Sequence, residues 1–535
     1  MKRILPAVFA LLFFTSCGDG IKKTAAPDSA EPSYGDYFVT SSIGDASYLN
    51  PILATDNASG SINGLIFNGL VKYDKNLKIT ADLADSWEIS DNGLAVTFHL
   101  RKNVLWHDGA PFTSDDVKFT YERLIDPEVK TPFGSDYALI KKLETPDKHT
   151  VKVTYKETFA PALESWMMGI VPRHIFQGSD FNSSPANRRP VGTGPFVFKE
   201  WKTDEKIVLE SNKNYFEGRP YIDRYIFRII PDQSVEFLEL RNRSIDEMSL
   251  TPDQWNAYKE FFSAYNKFRY PAFQYVYMGF NLYNPFFSDI RVRRALAHAL
   301  NKNEIINGVL LGMGKPATGP FPPQSWAYNS EVKDFEYSPE KAREILFSLG
   351  WRTEKDGYLH KDGKVFEFTI MTNQGNKIRS LSAEIIQSQL KAVGIKANIR
   401  IIEWSSFIHQ FIDKHNFDAV ILGWNLSRDP DQFAIWNSAQ TKEGQYNFVG
   451  YSNPEVDRLL ENGRRVFDLK KRERIYREIH AKIFNDIPYI FLYYPEALPV
   501  VHKRFKNVEA APAGIGWNFH KWWVPANEQK YMLTR

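Results

Sequence analysis

Residues 365–433 read VFEFTIMTNQGNKIRSLSAEIIQSQLKAVGIKANIRIIEWSSFIHQFIDKHNFDAVILGWNLSRDPDQF, and the changing period of their apolar positions decides the fold. Residues 366–372 (FEFTIMT) are β-branched and aromatic, and a polar break with Gly375 follows. From Arg379 onward Leu381, Ile385, Ile386, Leu390 and Val393 lie on one stripe at helical spacing. Gly394 then stands where a helix end favours positive φ. Residues 395–402 form a second predicted strand, 405–415 a second helix and 417–423 (FDAVILG) a third strand. Strand–helix units of this length pair in parallel through right-handed crossovers. In such open sheets ligands gather beyond the carboxyl ends of the strands. The third strand runs straight into Trp424 and Asn425, with Asp429 and Asp431 close behind. An aromatic face, an amide and two carboxylates without a partnered nucleophile point to recognition rather than catalysis.

At 535 residues the chain is too long for one core and should divide into two or three domains. Its 67 Lys and Arg against 64 Asp and Glu are mixed along the sequence, which argues against nucleic acid, a partner that needs a concentrated basic face. At the N-terminus, Lys2 and Arg3 precede an apolar run that ends at Phe14-Thr15-Ser16-Cys17. Residues 1–16 have the layout of a signal peptide, too short to span a bilayer as a mature helix. Cys17 is the sole cysteine, so no disulfide forms within the chain. Its surroundings resemble a bacterial lipobox, with Phe14 in the usual Leu position. That resemblance implies a lipid on Cys17 as the membrane anchor. Residues 17–35 then read as a flexible tether that reaches at most about 60 Å at roughly 3.3 Å per residue.

Further along, Val96, Phe98 and Leu100, and later Val151, Val153 and Tyr155, alternate with polar residues as half-buried antiparallel strands do. Gly192 and Gly194 read as a turn, because strands rather than a phosphate-cradling helix follow them. GMGK at residues 312–315 fails the P-loop pattern, since Pro316 and Ala317 replace the hydroxyl residue. His409 and His415 are at the wrong spacing to ligate a metal from one helical face, and no HExxH, paired cysteines or GxSxG occur. Neither a catalytic residue, nor a metal site, nor a cofactor is expected.

Six segments in order resemble the extracellular solute-binding proteins of family 5, the oligopeptide, dipeptide and nickel receptors of ABC importers. They are NPIL at 50–53, ADSWEISDNGLAVTFHLRKNVLW at 84–106 with His107-Asp108-Gly109, FTSDDVKFTY at 112–121, GTGPFVFKEW at 192–201, FFSDIRVRRALAHA at 286–299, and residues 423–433. The resemblance implies an α/β fold, the two-lobed type II periplasmic-binding-protein architecture with an extra subdomain in the first lobe. The first lobe would comprise residues 36–274, including the extra subdomain at 74–191, and the C-terminal part from 486 to 535. Residues 280–485 would be the second lobe, with hinge crossings at 275–279 and just after 486.

The family pattern also implies where ligand sits. Trp424 matches the Trp that peptide-binding members carry, but Leu426 stands where they place the Asp that pairs with a peptide's amino terminus. Asn373 and Gln374 stand where dipeptide binders place a carboxylate-binding Arg. A dipeptide specialist is therefore not expected, while a longer peptide held by its backbone, an oligosaccharide and a metal chelate all stay open. Candidate ligand contacts are Trp424, Asn425, Thr55, Asp56, Tyr446, Asn447, Phe133 and Tyr137. Asp429 and Asp431 read equally as ligand contacts or as caps of the helix that follows. The expected function is a monomeric lipoprotein receptor at the periplasmic or outer cell surface, delivering oligopeptides to an ABC permease. A secreted hydrolase and a passive surface lipoprotein are the rivals from other classes.

Overall fold

The computed structural model describes residues 31–257 and 261–531; the signal peptide at 1–16 and the lipid site at Cys17 lie outside the described residues. Strand β1 (Tyr37–Ser42) leads through a loop to helix α1 (Asn57–Ile66). Strands β2 (Phe196–Lys202), β3 (Lys206–Ser211) and β4 (Arg224–Ile229) complete a four-stranded sheet of order β1-β4-β3-β2, parallel only between β1 and β4. Gly192 and Gly194 form the tight approach to β2: a Cβ on Gly192 would sit 1.9 Å from the Ile66 carbonyl oxygen. The pair serves close packing against the end of α1, as the reading as a turn required.

The extra subdomain is an antiparallel sheet of Ala84–Ile89, Ala95–Leu100, Thr150–Tyr155 and Ile140–Asp147, in that order. Its alternation is as expected, with Val96, Phe98, Leu100, Val151, Val153 and Tyr155 all buried. Helix Ser114–Leu124 packs on it, begun by Asp116, whose carboxylate accepts from the Thr113 amide at 2.9 Å.

The second lobe is built on a seven-stranded sheet. Its strands include β5 (Gln274–Phe280) and β6 (Glu367–Asn373), and α2 (Lys377–Ala392) crosses from β6 to β7 (Lys396–Ile402). After β8 (Ala419–Asn425) come the helices α3 (Pro454–Arg465) and α4 (Leu469–Asp486), then β9 (Tyr489–Ala497). The order runs β9-β5-β8-β6-β7, and β6 is parallel to both β7 and β8, the arrangement the periodicity required. The sheet is covered on both faces: Val276, Met278 and Phe280 of β5 enter one core, Tyr275 and Tyr277 the other. Between β7 and β8 the expected helix is a short turn, Trp404–Ser406, running into a π-helical stretch, Phe407–Ile412.

Two expectations shift. The stretches expected as hinge crossings, 275–279 and just after 486, lie in β5 and at the start of β9, buried strands of the seven-stranded sheet. Their unbroken apolar runs are what a sheet covered on both sides demands. Just outside them Tyr270–Pro271 pairs with Ala497 and Glu496, and Pro499–His502 joins a small separate sheet. The tether is also shorter than residues 17–35. Ser33 Oγ donates to the Val524 carbonyl at 2.6 Å, Gly35 N to Tyr221 O at 2.9 Å, and the Tyr34 ring stacks on Tyr221. An aromatic in an otherwise polar stretch finds a docking ring and fixes the chain.

Candidate ligand-binding site

The carboxyl ends of β6 and β8 face the first lobe, and the lobes meet there. Asn425 Nδ2 donates to Asn57 Oδ1 at 3.0 Å, and the Lys377 amide at the start of α2 donates to Gln233 Oε1 at 3.0 Å. Lys377 Nζ also reaches Asp253, at 3.2 Å, and the Tyr48 ring meets His409 edge-on. The structure is therefore a closed form, with the ends of the central strands enclosed between the lobes.

Trp424 and Asn425 are the last residues of β8, paired with Tyr275 and Gln274 of β5, rather than the first of a loop. The indole of Trp424 is half-buried. One side rests on Tyr446 (ring centroids 5.0 Å) and Phe448, and its Nε1 points to the Tyr489 hydroxyl at 3.4 Å. Phe133 of the extra subdomain meets Tyr446 edge-on at 6.0 Å, so Trp424, Tyr446 and Phe133 form one aromatic wall drawn from both lobes.

On the face of β8 opposite to Trp424 lies a charge that the sequence reading passed over. Arg379, in the first turn of α2, lies next to Gly423 of β8, where a Cβ would come 3.2 Å from Nη2. Its Nη1 donates to Asn373 Oδ1 at 2.8 Å, and it makes no salt bridge among the described residues. Burial lowers its pKa from the ordinary arginine value, with the tyrosines Tyr493 and Tyr277 as its electrostatic neighbours. A guanidinium held in low dielectric without a carboxylate is costly unless something anionic joins it. Asn373, which stands where an Arg was sought, orients this one instead. The signal was its place in the first turn after a parallel strand, where side chains reach the strand ends.

In the first lobe a second such charge is Glu164, in the short helix Ala162–Ser165. Burial, reinforced by the negative charge of Asp429, pushes its carboxyl up to about 7. It too has no salt-bridge partner among the described residues. Nearby, Arg428 lies over the Phe273 ring at 4.1 Å and donates to the Pro512 carbonyl of the first lobe at 2.9 Å. No periodicity or motif marks Glu164; its surroundings are purely tertiary.

Asp429, Asp431, Asp56, Asn447 and Tyr137 spend polar atoms inside the protein. Asp429 accepts two hydrogen bonds from Arg472, at 2.8 and 3.0 Å, and one from the Asp431 amide. Asp431 accepts from the Phe433 amide and pairs with Arg464 at 2.8 Å, so both act as caps and ion-pair partners. Asp56 caps α1 through the Ser59 amide and hydroxyl at 2.8 and 2.6 Å, while Thr55 before it is half-buried. Asn447 is fully buried and bonds Asn437 and Tyr451, and Tyr137 packs on Trp166 with its hydroxyl given to the Ser165 carbonyl. A saturated, buried polar group has nothing left to offer a ligand.

Among the described residues no group of three or more His, Cys, Asp or Glu could hold a metal ion, and no helix is long and apolar enough to cross a membrane. Residues 78–446 match the family described as Bacterial extracellular solute-binding proteins, family 5 Middle. The oligopeptide-binding protein AppA of Bacillus subtilis is 36% identical over 97% of this chain and 98% of its own. The structure of that protein in complex with a nonapeptide covers 92% of this chain and 100% of its own, with a TM-score of 0.88. The structure of NikZ from Campylobacter jejuni in complex with Ni(L-His) is 30% identical and covers 91% of this chain and 99% of its own, with a TM-score of 0.83. These relatives share the two-lobed type II architecture. The lobes, the enclosed strand ends and the sequence match together make this chain a member of the bacterial extracellular solute-binding proteins of family 5.

Proposed function

We propose that the protein is the capture receptor of an ABC importer for oligopeptides, held at the membrane by lipid on Cys17 and acting as a monomer. The observation that carries this reading is two charges without a salt-bridge partner among the described residues, Arg379 at the start of α2 in the second lobe and Glu164 in the first, together with the half-buried indole of Trp424 at the end of β8. A zwitterionic chain supplies what both lack: a carboxylate for the guanidinium and an ammonium for the carboxylate. Trp424, Tyr446 and Phe133 offer flat apolar surface that tolerates many side chains, and Asn425 offers an amide to a peptide backbone. Closure removes water and strengthens each of these contacts. The similarity to a protein solved with a nonapeptide supports a ligand longer than a dipeptide.

Native mass spectrometry of protein purified from its own cells tests the reading directly. A ladder of co-purified peptides is expected, and their readdition should stabilise the stripped protein by about 2.7 kcal/mol at a hundredfold excess over Kd. Turnover of the peptides, or no stabilisation by any of them, would reject it. Arg379 also suits the carboxylates of a metal chelate, the kind of ligand held by the similar NikZ. Recovery of a metal-bearing small molecule would select that second reading.

The charge on Glu164 makes a separate prediction. With its carboxyl at about 7 in the closed, ligand-free form, an incoming ammonium must first find it ionised. Peptide affinity should then be full above pH 7 and fall roughly tenfold for each pH unit below it, because one pKa unit is about 1.4 kcal/mol. Calorimetric titration from pH 5.5 to 8 should show this slope, and Glu164→Gln should flatten it. A flat wild-type profile would remove Glu164 from the site.

A further inference from the structure

We infer that the extra subdomain is a clasp that seizes the C-terminal end of α3 when the lobes meet, with Arg464 as its pin. The inference rests on the two-lobed receptor reading and concerns how that same site is held shut. Arg464 is the penultimate residue of α3, and its side chain is 5% exposed. Within its own lobe Nε bonds Asp431 at 2.8 Å, and the guanidinium lies 4.0 Å over the Phe433 ring. Across the gap Nη2 bonds Asp136 Oδ1 at 2.6 Å and Nη1 the Ser135 carbonyl at 3.3 Å, both in the extra subdomain. Asp431 thus holds the guanidinium ready, and Asp136 is the partner met only on closure.

The backbone repeats the pattern. The last carbonyls of a helix have no donor within it. Here they are filled from the other lobe: Ala160 N donates to Arg464 O at 2.6 Å, and Thr158 Oγ1 to Arg465 O at 2.7 Å. Arg465 pairs with Glu157 at 2.8 Å. Just beyond, Phe467 presses on the turn at Gly93, where a Cβ would come 2.9 Å from its ring. All of these contacts part when the lobes open, and none involves a ligand side chain. They bias the molecule toward the closed state through protein–protein contacts alone, which lets the site accept varied sequences and still close. Asp431, which the sequence left open between ligand contact and helix cap, has its place here as the anchor of the pin.

The test uses the full chain carrying Cys17→Ser, with the exposed pair D91C and L469C placed on the two sides of the rim. Without ligand, the rate at which a short bismaleimide bridges the pair reports the closed population. Asp136→Asn, which leaves the Arg464–Asp431 pair intact, should slow bridging by about tenfold, the order expected when a half-buried, hydrogen-bonded charge pair at an interface loses one partner. It should speed release of a fluorescently labelled nonapeptide by a similar factor. Arg464→Met should act in the same direction, and Asp136→Asn combined with Arg464→Met should be no worse than Arg464→Met alone. Bridging by Asp136→Asn at the wild-type rate would overturn the clasp, whether or not the peptide binds. Failure of the receptor reading looks different: the wild-type chain would show no saturable nonapeptide binding, while bridging still depended on Asp136.

Discussion

Arg379→Met should weaken oligopeptide binding by about a hundredfold or more while raising the melting temperature of the ligand-free protein. The two effects have one cause. In the free protein the guanidinium is held among Asn373, Tyr277 and Tyr493 with no carboxylate, and burial lowers its pKa. At neutral pH it is charged in both the folded and unfolded chain, so the folded state alone bears the desolvation, and methionine relieves it. A ligand carboxylate that was to meet that charge would then be buried unpaired, which costs about 2–5 kcal/mol at an interface. Calorimetry with peptides recovered from the native protein, alongside a thermal melt of the stripped variant, reads both. If affinity is unchanged, or falls together with the melting temperature, Arg379 is a scaffold residue and the ligand's anionic end lies elsewhere.

The second large effect should appear far from the site. Arg504 is almost wholly buried between Asp36 and Asp246, which are 1% exposed each. Its Nη2 meets Asp246 Oδ2 at 2.7 Å, its Nε meets Oδ1 at 3.2 Å, and its Nη1 pairs with Asp36. Lys530 adds a contact to Asp246 at 3.3 Å, and the Val39 amide another at 3.1 Å. The cluster ties the start of the first lobe, its middle and the returning C-terminal segment into one knot. Arg504→Met leaves two buried carboxylates with too little compensation and should destabilise the first lobe by about 3–5 kcal/mol. Adding Asp36→Asn and Asp246→Asn should recover part of that loss, because the uncompensated charges go with it. Denaturant melts with separate probes for each lobe would show the second lobe nearly unaffected. A loss below about 1 kcal/mol would mean that water or neighbouring groups solvate the carboxylates.

Arg379 and Arg504 show different limits on what a linear reading reaches. The βαβαβ unit was legible because its cause is local: a strand covered on both faces needs an unbroken apolar run, and a helix packed on one side needs a stripe. Residues 366–372 and 417–423 carry the first pattern and the stripe from Leu381 to Val393 the second, and β6, α2 and β8 follow them within a few residues. The strands at Val96, Phe98 and Leu100 were legible in the same way, while their place in an extra subdomain was implied by the family resemblance. The hinge was not legible, since the runs at 274–280 and 489–494 look alike whether a strand crosses between lobes or sits inside one sheet. Only its pairing with β8 and β9 places β5 in the second lobe.

Sequence alone therefore determined the class of the fold, the order of its elements and the strand end at which Trp424 stands. The tertiary structure alone decided which charges are free. Asp429 and Asp431 read equally as ligand contacts or as caps, and Arg472 and Arg464 arrive from 43 and 33 residues away to occupy them. Arg464 in turn reaches Asp136 across 328 residues of chain. Arg379 and Glu164 looked unremarkable and are left without salt-bridge partners among the described residues. Apolar periodicity reports burial against whatever lies next to an element, so it can be read from neighbours in the chain. A charge pair depends on one distant atom lying within about 3 Å, and no local pattern carries that distance.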